Sequence, residues 1–433
     1  MRRFLFLSSD KFPINPSSVA QRPTKLVRLL LTIFVTVGLF SWALESSARA
    51  DSGWRAELTR ALKNGGAYAE DDRGRALFEY RAEEHFVPAS ILKLATVSAA
   101  LNALGPDYRF KTETYLLPGG VLAVKGFGDP HLVSEELAAL AAELAPKVSA
   151  VHGILLDDSY FAPDIEIDGS SDTSNPYDAK NGALIANFNT INVEKRRGAI
   201  VSAEPQTPLT PLARELAARL PSGTGRVNLQ SDRGKTLRYF GELLSEFLRN
   251  AGTKVDGPVR AGTVPRDAKP LLIHHSRQTL SEIVRDLLKY STNFTANQVL
   301  LVLGASQSGA PATVQKGVDA VTGYLRKNIG WRDFEIHEGA GLSHRNAVTP
   351  AQMVNLLRVI EPYRELIPEE EPPFQAKTGS LRGVNTLAGY FDLPGRGTVR
   401  FALLVNDNVD HRYKFKVARM LYNGLLSERG RSN

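Results

Sequence analysis

Ser90 and Lys93 lie three positions apart in the segment Pro88-Ala89-Ser90-Ile91-Leu92-Lys93, and this pair places a strong constraint on the fold. Residues spaced by three share one face of a helix, so the hydroxyl and the amine can touch. Their neighbours are mostly apolar, and burial among them favours the neutral form of a lysine. A neutral lysine beside a hydroxyl is a base beside a nucleophile. The segment therefore predicts a helix that presents a nucleophile and its base.

The same spacing also has a purely structural interpretation. A serine at a helix N-terminus is commonly a cap, and a lysine one turn later commonly extends into solvent. Ser8 and Lys11 repeat the spacing in a segment where no catalytic role is expected. A catalytic interpretation of Ser90 and Lys93 therefore depends on further motifs.

The first 50 residues have the pattern of a secretory signal peptide. Positive residues precede an uncharged run of 16 residues, Leu29 to Leu44, and Ala48-Arg49-Ala50 follows it. That run is short for a membrane span, which needs about 20 residues. We therefore expect residues 1–50 to be a signal peptide and the mature protein to lie in the periplasm, either free or associated with the membrane. An uncleaved N-terminal anchor is the alternative.

Charge and composition exclude several classes of function. The net charge of +7 becomes +2 once residues 1–50 are removed, because they hold seven Lys or Arg and two acidic residues. No nucleic-acid partner is therefore expected. The absence of cysteine excludes thiol nucleophiles and thiolate metal sites. The eight histidines show no metal-ligand spacing, so we predict no metal and no cofactor.

The order of predicted elements indicates an α+β fold. Strand patterns occur near the start, at Gly66 to Arg81, and again near the end, from Phe374 to Asn406. Helical patterns dominate from Leu280 to Ile360, while residues 115–265 alternate short strands and helices. We expect an antiparallel sheet that combines early and late strands. The predicted division is 51–114 with 266–433 as the main domain, and 115–265 as one or two inserted accessory domains.

Two further motifs each occur once. Ser291-Thr292-Asn293 falls in a break between two helical patterns, and Lys377-Thr378-Gly379-Ser380 ends a predicted strand. Each also has a structural interpretation, as a helix cap or as the exit from a strand. Their order after Ser90 and Lys93 matches the set shared by penicillin-binding proteins and class A β-lactamases. The combination favours catalysis.

Four residues of the first two motifs have a chemical task, and Lys377 of the third motif supports them. Ser90 would attack a carbonyl to form an acyl-enzyme, and Lys93 would accept its proton. Ser291 would relay that proton to the leaving amine, with Lys377 keeping the local field positive. Asn293 would hold Lys93 and the substrate amide by hydrogen bonds.

The third motif would bind the substrate. Gly379 would let the strand approach it closely. The backbone N–H groups of Ser90 and Ser380 would form an oxyanion hole, worth about 3 kcal/mol per donor. Lys377 and Thr378 would bind a carboxylate, which fits a peptide with a free C-terminus.

The chain resembles the low-molecular-mass penicillin-binding proteins (class C type) that are D-alanyl-D-alanine carboxypeptidases and endopeptidases with long inserted domains. The resemblance covers most of the mature chain, and the 201 positions from Ser90 to Ser291 fit the insertion. Beyond the three motifs it rests on Gly126-Phe127-Gly128-Asp129-Pro130, Asp157-Asp158-Ser159-Tyr160-Phe161 and Glu338-Gly339-Ala340-Gly341-Leu342-Ser343.

The resemblance implies a transpeptidase-like fold, as in penicillin-binding proteins and β-lactamases. It also implies serine-dependent hydrolysis of D-Ala-D-Ala termini and cross-bridges of peptidoglycan, with stem peptides as substrates and β-lactams as inhibitors. Asp157 matches a family position beside the diamino-acid side chain of the substrate. The chain departs from the family pattern at Thr292, where an aspartate is common. It also departs at Ala296-Asn297, where many relatives carry an acidic residue.

Two alternatives stay open. A serine β-lactamase or esterase on the same scaffold would need a base and a water that hydrolyse the acyl-enzyme, and no motif for such a base is evident. A catalytically weak protein that binds the cell wall through its insertion belongs to a different class. The sequence sets neither the oligomeric state nor the balance of carboxypeptidase and endopeptidase activity.

Overall fold

The computed structural model describes residues 53–171, 173, 178–229 and 232–429. The predicted signal peptide, residues 1–50, and the alternative of an anchor there both lie outside the described residues. Among the residues described, none of the helices combines the length and the apolar character that a membrane span requires.

The strands occur along most of the described chain. In chain order they are β1 (Gly65–Glu70), β2 (Ala76–Tyr80), β3 (Lys111–Leu117), β4 (Val121–Gly126), β5 (Ala150–Val151), β6 (Ile154–Asp157), β7 (Thr190–Arg196), β8 (Ala199–Ser202), β9 (Gly223–Asn228), β10 (Lys254–Val255), β11 (Val259–Ala261), β12 (Leu272–His275), β13 (Glu369–Glu371), β14 (Phe374–Leu381), β15 (Val384–Leu393) and β16 (Gly397–Val405).

The α-helices concentrate between residues 280 and 360. After a first helical segment at 53–62 they are, in chain order, α1 (Lys93–Leu104), α2 (Ser134–Leu144), α3 (Pro211–Ala217), α4 (Arg233–Asn250), α5 (Leu280–Tyr290), α6 (Asn293–Ser308), α7 (Val314–Tyr324), α8 (Pro350–Ile360) and α9 (Tyr413–Arg429).

A six-stranded antiparallel sheet joins the two ends of the described chain. Its strand order is β13-β14-β15-β16-β1-β2, and β1 pairs with β16 from Gly65↔Val405 to Glu70↔Arg400. β15 and β16 are buried on almost every residue because α8 and α9 both pack on them. The predicted antiparallel sheet of early and late strands is confirmed.

The middle of the chain builds smaller sheets. A five-stranded sheet has the order β11-β6-β4-β3-β12, and a three-stranded sheet has the order β8-β7-β9. Helices α2 and α4 pack together beside them around a separate apolar core. The predicted boundary between residues 114 and 115 falls inside β3, whose partner β12 begins at Leu272. The division into domains stays a prediction.

The main core surrounds two helices that contact each other. α1 packs against α6, and the side chains of α6 are buried from Asn293 to Ala305. An apolar helix of this kind is buried on all sides rather than along one stripe. Because the first residues of α1 and α6 are Lys93 and Asn293, this packing brings together two segments 200 positions apart in the sequence.

Candidate active site

Ser90 and Lys93 lie at a tight turn that leads into helix α1. Ser90 belongs to a 3-10 turn, Ala89–Leu92, and α1 begins only at Lys93, whereas the sequence predicted one helix from Ser90. Ala89 has a left-handed φ of +50°, so the chain reverses just before the serine. Lys93 Nζ lies 2.8 Å from Ser90 Oγ.

The amine of Lys93 is fully buried and has three oxygen neighbours. Besides Ser90 Oγ, its Nζ donates to Asn293 Oδ1 and to the carbonyl oxygen of Ala340, each at 2.7 Å. Burial holds the pKa of Lys93 well below its usual value; the charge of Lys377 acts in the same direction, and Glu338 opposes it. A neutral amine has two N–H groups, which Asn293 and Ala340 occupy. Its lone pair is left to accept the Ser90 proton.

The loop after Glu338 positions the Ala340 carbonyl. The buried Glu338 carboxylate accepts hydrogen bonds from the backbone N–H groups of Ala340, Gly341 and Leu342 at 2.8, 2.7 and 2.8 Å. Gly341 has a φ of +82°, and a Cβ there would stand 1.9 Å from the carbonyl oxygen of Ala89. The loop therefore requires glycine to lie against the serine turn. The sequence alone does not indicate this role for Glu338.

Asn297 supports the same loop from helix α6. Its Oδ1 accepts a hydrogen bond from the Gly339 N–H at 2.7 Å, and its Nδ2 donates to Glu338 Oε2 at 3.4 Å. This is the position where many relatives were expected to carry an acidic residue. Here the carboxylate near Lys93 belongs to Glu338. The amide of Asn297 can donate a hydrogen bond to this carboxylate, whereas an acidic side chain at position 297 would repel it.

Lys377 is the second fully buried lysine of the site. Its Nζ donates to the carbonyl oxygen of Thr378 at 2.9 Å. Burial lowers the pKa of Lys377 to about 8; Lys414 acts in the same direction and Glu370 opposes it. Thr378 Oγ1 donates to Glu370 Oε1 at 3.3 Å. The strand thus carries a cation and a hydroxyl side by side.

Gly379 brings strand β14 against the serine turn. A Cβ there would stand 2.1 Å from Thr386 Oγ1 and 3.1 Å from the backbone nitrogen of Ser90. Thr386 Oγ1 also donates to the carbonyl oxygen of Pro88 at 2.7 Å. The glycine is thus needed for contact within the protein as well as for the predicted approach to a substrate. Ser380 follows on the same strand and is exposed.

Ser291 joins helices α5 and α6. It caps α5 in a left-handed conformation with a φ of +56°, and Asn293 begins α6 two residues later. Among the described residues, its hydroxyl makes no hydrogen bond with Ser90 or Lys93. Ser291 therefore lies two residues from Asn293 without a hydrogen bond to the serine–lysine pair.

Asp157 lies in another part of the fold, at the end of β6. Its buried carboxylate accepts hydrogen bonds from the Ser159 and Val264 N–H groups, each at 2.9 Å, and Lys125 Nζ is 3.8 Å away. These contacts explain its burial. They do not link it to the other site residues, so its substrate role stays a prediction.

A cavity of 820 Å³ adjoins Asn293. Its wall combines α6 residues with the loop and strands of the middle region, including Phe188, Asn192 and Arg226. Across the described residues, no group of three or more histidine, aspartate or glutamate side chains is placed to hold a metal ion.

The antiparallel sheet, the serine paired with a buried lysine, the asparagine beside them and the Lys-Thr-Gly strand together define a serine acyl-transfer enzyme with the fold of penicillin-binding proteins and β-lactamases. A family comparison gives the particular group. The chain belongs to the D-Ala-D-Ala carboxypeptidase 3 (S13) peptidase family, which matches residues 58–224 and 216–366. The predicted enzyme class, a serine-type D-Ala-D-Ala carboxypeptidase, and the predicted fold class are confirmed.

Individual relatives agree with this membership. A D-alanyl-D-alanine carboxypeptidase from Actinomadura sp. (strain R39) is 28% identical over 408 residues, covering 77% of this chain and 76% of the relative. The crystal structure of penicillin binding protein 4 (dacB) from Haemophilus influenzae matches with a TM-score of 0.70 and 23% identity, over 87% of this chain and 99% of that one. Its complex with a β-lactam matches with a TM-score of 0.67 and 23% identity, over 86% of this chain and 99% of that one.

Proposed function

We propose that this serine DD-peptidase hydrolyses the terminal D-Ala-D-Ala bond of peptidoglycan stem peptides, and their cross-bridges, through an acyl-enzyme on Ser90. The observation that carries the proposal is the fully buried Lys93 Nζ, 2.8 Å from Ser90 Oγ. Because Asn293 and Ala340 accept hydrogen bonds from its two N–H groups, the lone pair of the neutral amine points to the Ser90 hydroxyl and can accept its proton.

Acylation follows from this arrangement. Lys93 accepts the Ser90 proton as Oγ attacks the carbonyl carbon of the scissile bond. The backbone N–H groups of Ser90 and Ser380 stabilise the oxyanion. The proton then reaches the leaving amine, with Ser291 as the relay and Asn293 holding Lys93 in place. Water hydrolyses the resulting ester, and Lys93 serves again as the base.

Lys377 and Thr378 bind the free carboxylate of the substrate. The pKa of Lys377 is about 8, so its side chain is cationic below that pH, and Thr378 offers a hydroxyl on the same strand. Cationic and hydroxyl donors are suited to a carboxylate. The β-lactam in the similar Haemophilus influenzae protein supports β-lactams as inhibitors here. The leader pattern of residues 1–50 supports a periplasmic location.

A time course of intact mass after addition of benzylpenicillin tests the proposal. We expect one adduct of the mass of penicillin that persists, because the chain offers no evident base for fast hydrolysis of the penicilloyl ester. An adduct that clears within seconds would instead favour the β-lactamase alternative. No adduct at all would contradict the proposal and favour a cell-wall binding protein.

Lys377→Ala should affect substrates with a carboxylate more than neutral ones. We expect kcat/KM for a peptide ending in D-Ala-D-Ala to fall about 100-fold, and kcat/KM for a neutral ester to fall only several-fold. The two substrates, assayed on one protein preparation, control for any loss of folded enzyme. Equal losses on both would argue against a carboxylate role for Lys377.

A further inference from the structure

A third buried lysine lies beside the Lys-Thr-Gly strand. Lys414, the second residue of α9, is 3% exposed. Its Nζ donates to the carbonyl oxygen of Gly379 at 2.8 Å and to Ser380 Oγ at 2.5 Å. Lys414 belongs to none of the sequence motifs described above.

This position is unfavourable for a cation. Both hydrogen-bond partners of Lys414 Nζ are neutral oxygens, and burial of an amine without an ionic partner costs free energy. The lysine also lies in the first turn of α9, where the helix dipole disfavours positive charge. Burial lowers the pKa of Lys414 to about 8, with Glu370 acting in the opposite direction. Stability alone does not explain a lysine here.

Asn385 fixes the first turn of α9 to the same strand pair. It lies directly opposite Ser380 in the β14–β15 ladder, and its Oδ1 accepts a hydrogen bond from the backbone N–H of Lys414 at 3.0 Å. Its Nδ2 donates to the carbonyl oxygens of Asp410 and His411 at 3.1 and 3.2 Å. The helix start, and Lys414 with it, is therefore held in register with Ser380.

The carbonyl that Lys414 contacts belongs to the same peptide group as the Ser380 N–H. A peptide group is planar, so a hydrogen bond on the Gly379 oxygen also fixes the direction of that N–H. A cation on the oxygen polarises the group and makes the N–H a stronger donor. Because Ser380 Oγ accepts from Lys414, that hydroxyl keeps its own proton to donate elsewhere.

We propose that Lys414 is a positioning residue for the oxyanion hole: it orients and polarises the Gly379–Ser380 peptide, so that the Ser380 N–H stabilises the tetrahedral intermediate. The inference rests on the proposed function, because it requires acylation at Ser90. Lys414 acts through the strand and touches no reacting atom.

Stopped-flow acylation of Lys414→Met by benzylpenicillin tests this role, because it separates reversible binding from the acylation step. We expect the acylation rate constant to fall about 10- to 100-fold, since a misdirected or weakened oxyanion donor acts on the transition state. The reversible dissociation constant should stay within about twofold. Lys416→Met is the matched control, because Lys416 is exposed two positions along α9; it should react like the wild type.

Acylation at the wild-type rate by folded Lys414→Met would overturn the inference. A loss confined to reversible binding would overturn it as well. If Lys414→Met does not fold, Lys414→Leu removes the same donor with a shorter apolar side chain, and wild-type acylation by that variant would overturn the inference equally. Wild-type protein that forms no adduct would reject the proposed function itself, so the two failures are distinguishable.

Discussion

We expect Ser90→Ala to form no covalent adduct with benzylpenicillin, which is the largest effect that the structure predicts. Its thermal unfolding midpoint should stay close to that of the wild type. The hydroxyl oxygen is the atom that bonds to the acyl group, so its removal eliminates the bond rather than slowing its formation. Ser90 is partly exposed at the turn before α1, so loss of its hydroxyl leaves the apolar core intact. Intact mass and peptide mapping of the adduct provide the measurement.

Ser98→Ala is the control for that experiment. Ser98 lies further along α1 and is buried, with its Oγ 2.7 Å from the Tyr324 hydroxyl. Its removal tests whether the loss of any buried hydroxyl on this helix prevents labelling. We expect full labelling of Ser98→Ala. An adduct on Ser90→Ala would place the nucleophile at another residue.

Lys93→Met should lower the acylation rate constant by about 10²- to 10⁴-fold, the range for loss of a general base. Lys93→Arg should lose as much, because a guanidinium stays protonated and cannot accept the Ser90 proton. In the wild type, acylation should rise with pH as Lys93 loses its proton, at a pH well below the usual lysine pKa. It should fall again above about pH 8, where Lys377 loses the charge that binds the carboxylate.

Lys316→Met serves as the lysine control. Lys316 Nζ also donates to backbone carbonyls, those of Gly309 and Pro311, but it lies near the other end of α6 from Asn293. This variant should acylate at the wild-type rate with the wild-type pH profile. Rapid acylation by Lys93→Arg would mean that Lys93 acts as a cation and not as a base.

Local patterns were sufficient to predict most of the fold. Gly105-Pro106, a pair that does not continue a helix, follows directly after the last residue of α1, and the turn at Pro394 to Gly397 joins β15 to β16. These signals act over a few residues, so they can be read without knowledge of the tertiary structure. The order of the three motifs then indicated the fold class.

The remaining features depend on tertiary contacts. Lys414 and Lys416 are indistinguishable in the stretch Tyr413-Lys414-Phe415-Lys416, because only packing decides which of two helix faces is buried. The role of Glu338 likewise depends on the tertiary structure, because the backbone N–H groups of the loop that follows it surround its carboxylate. The 3-10 turn at Ser90 depends on Ala89, whose carbonyl contacts Gly341 from a distant segment.

The pairing of β1 with β16 has a consequence for the order of events during synthesis. Ser90 is made early, yet the strand beside it, the lysine that supports that strand, and strands β15 and β16, which connect it to β1, come from the last sixty residues or so. Such distant pairings must overcome the entropy of closing a long loop, which makes them slow to form. A growing chain therefore carries its nucleophile for most of translation without a working enzyme around it, and activity begins only when the C-terminal strands are in place.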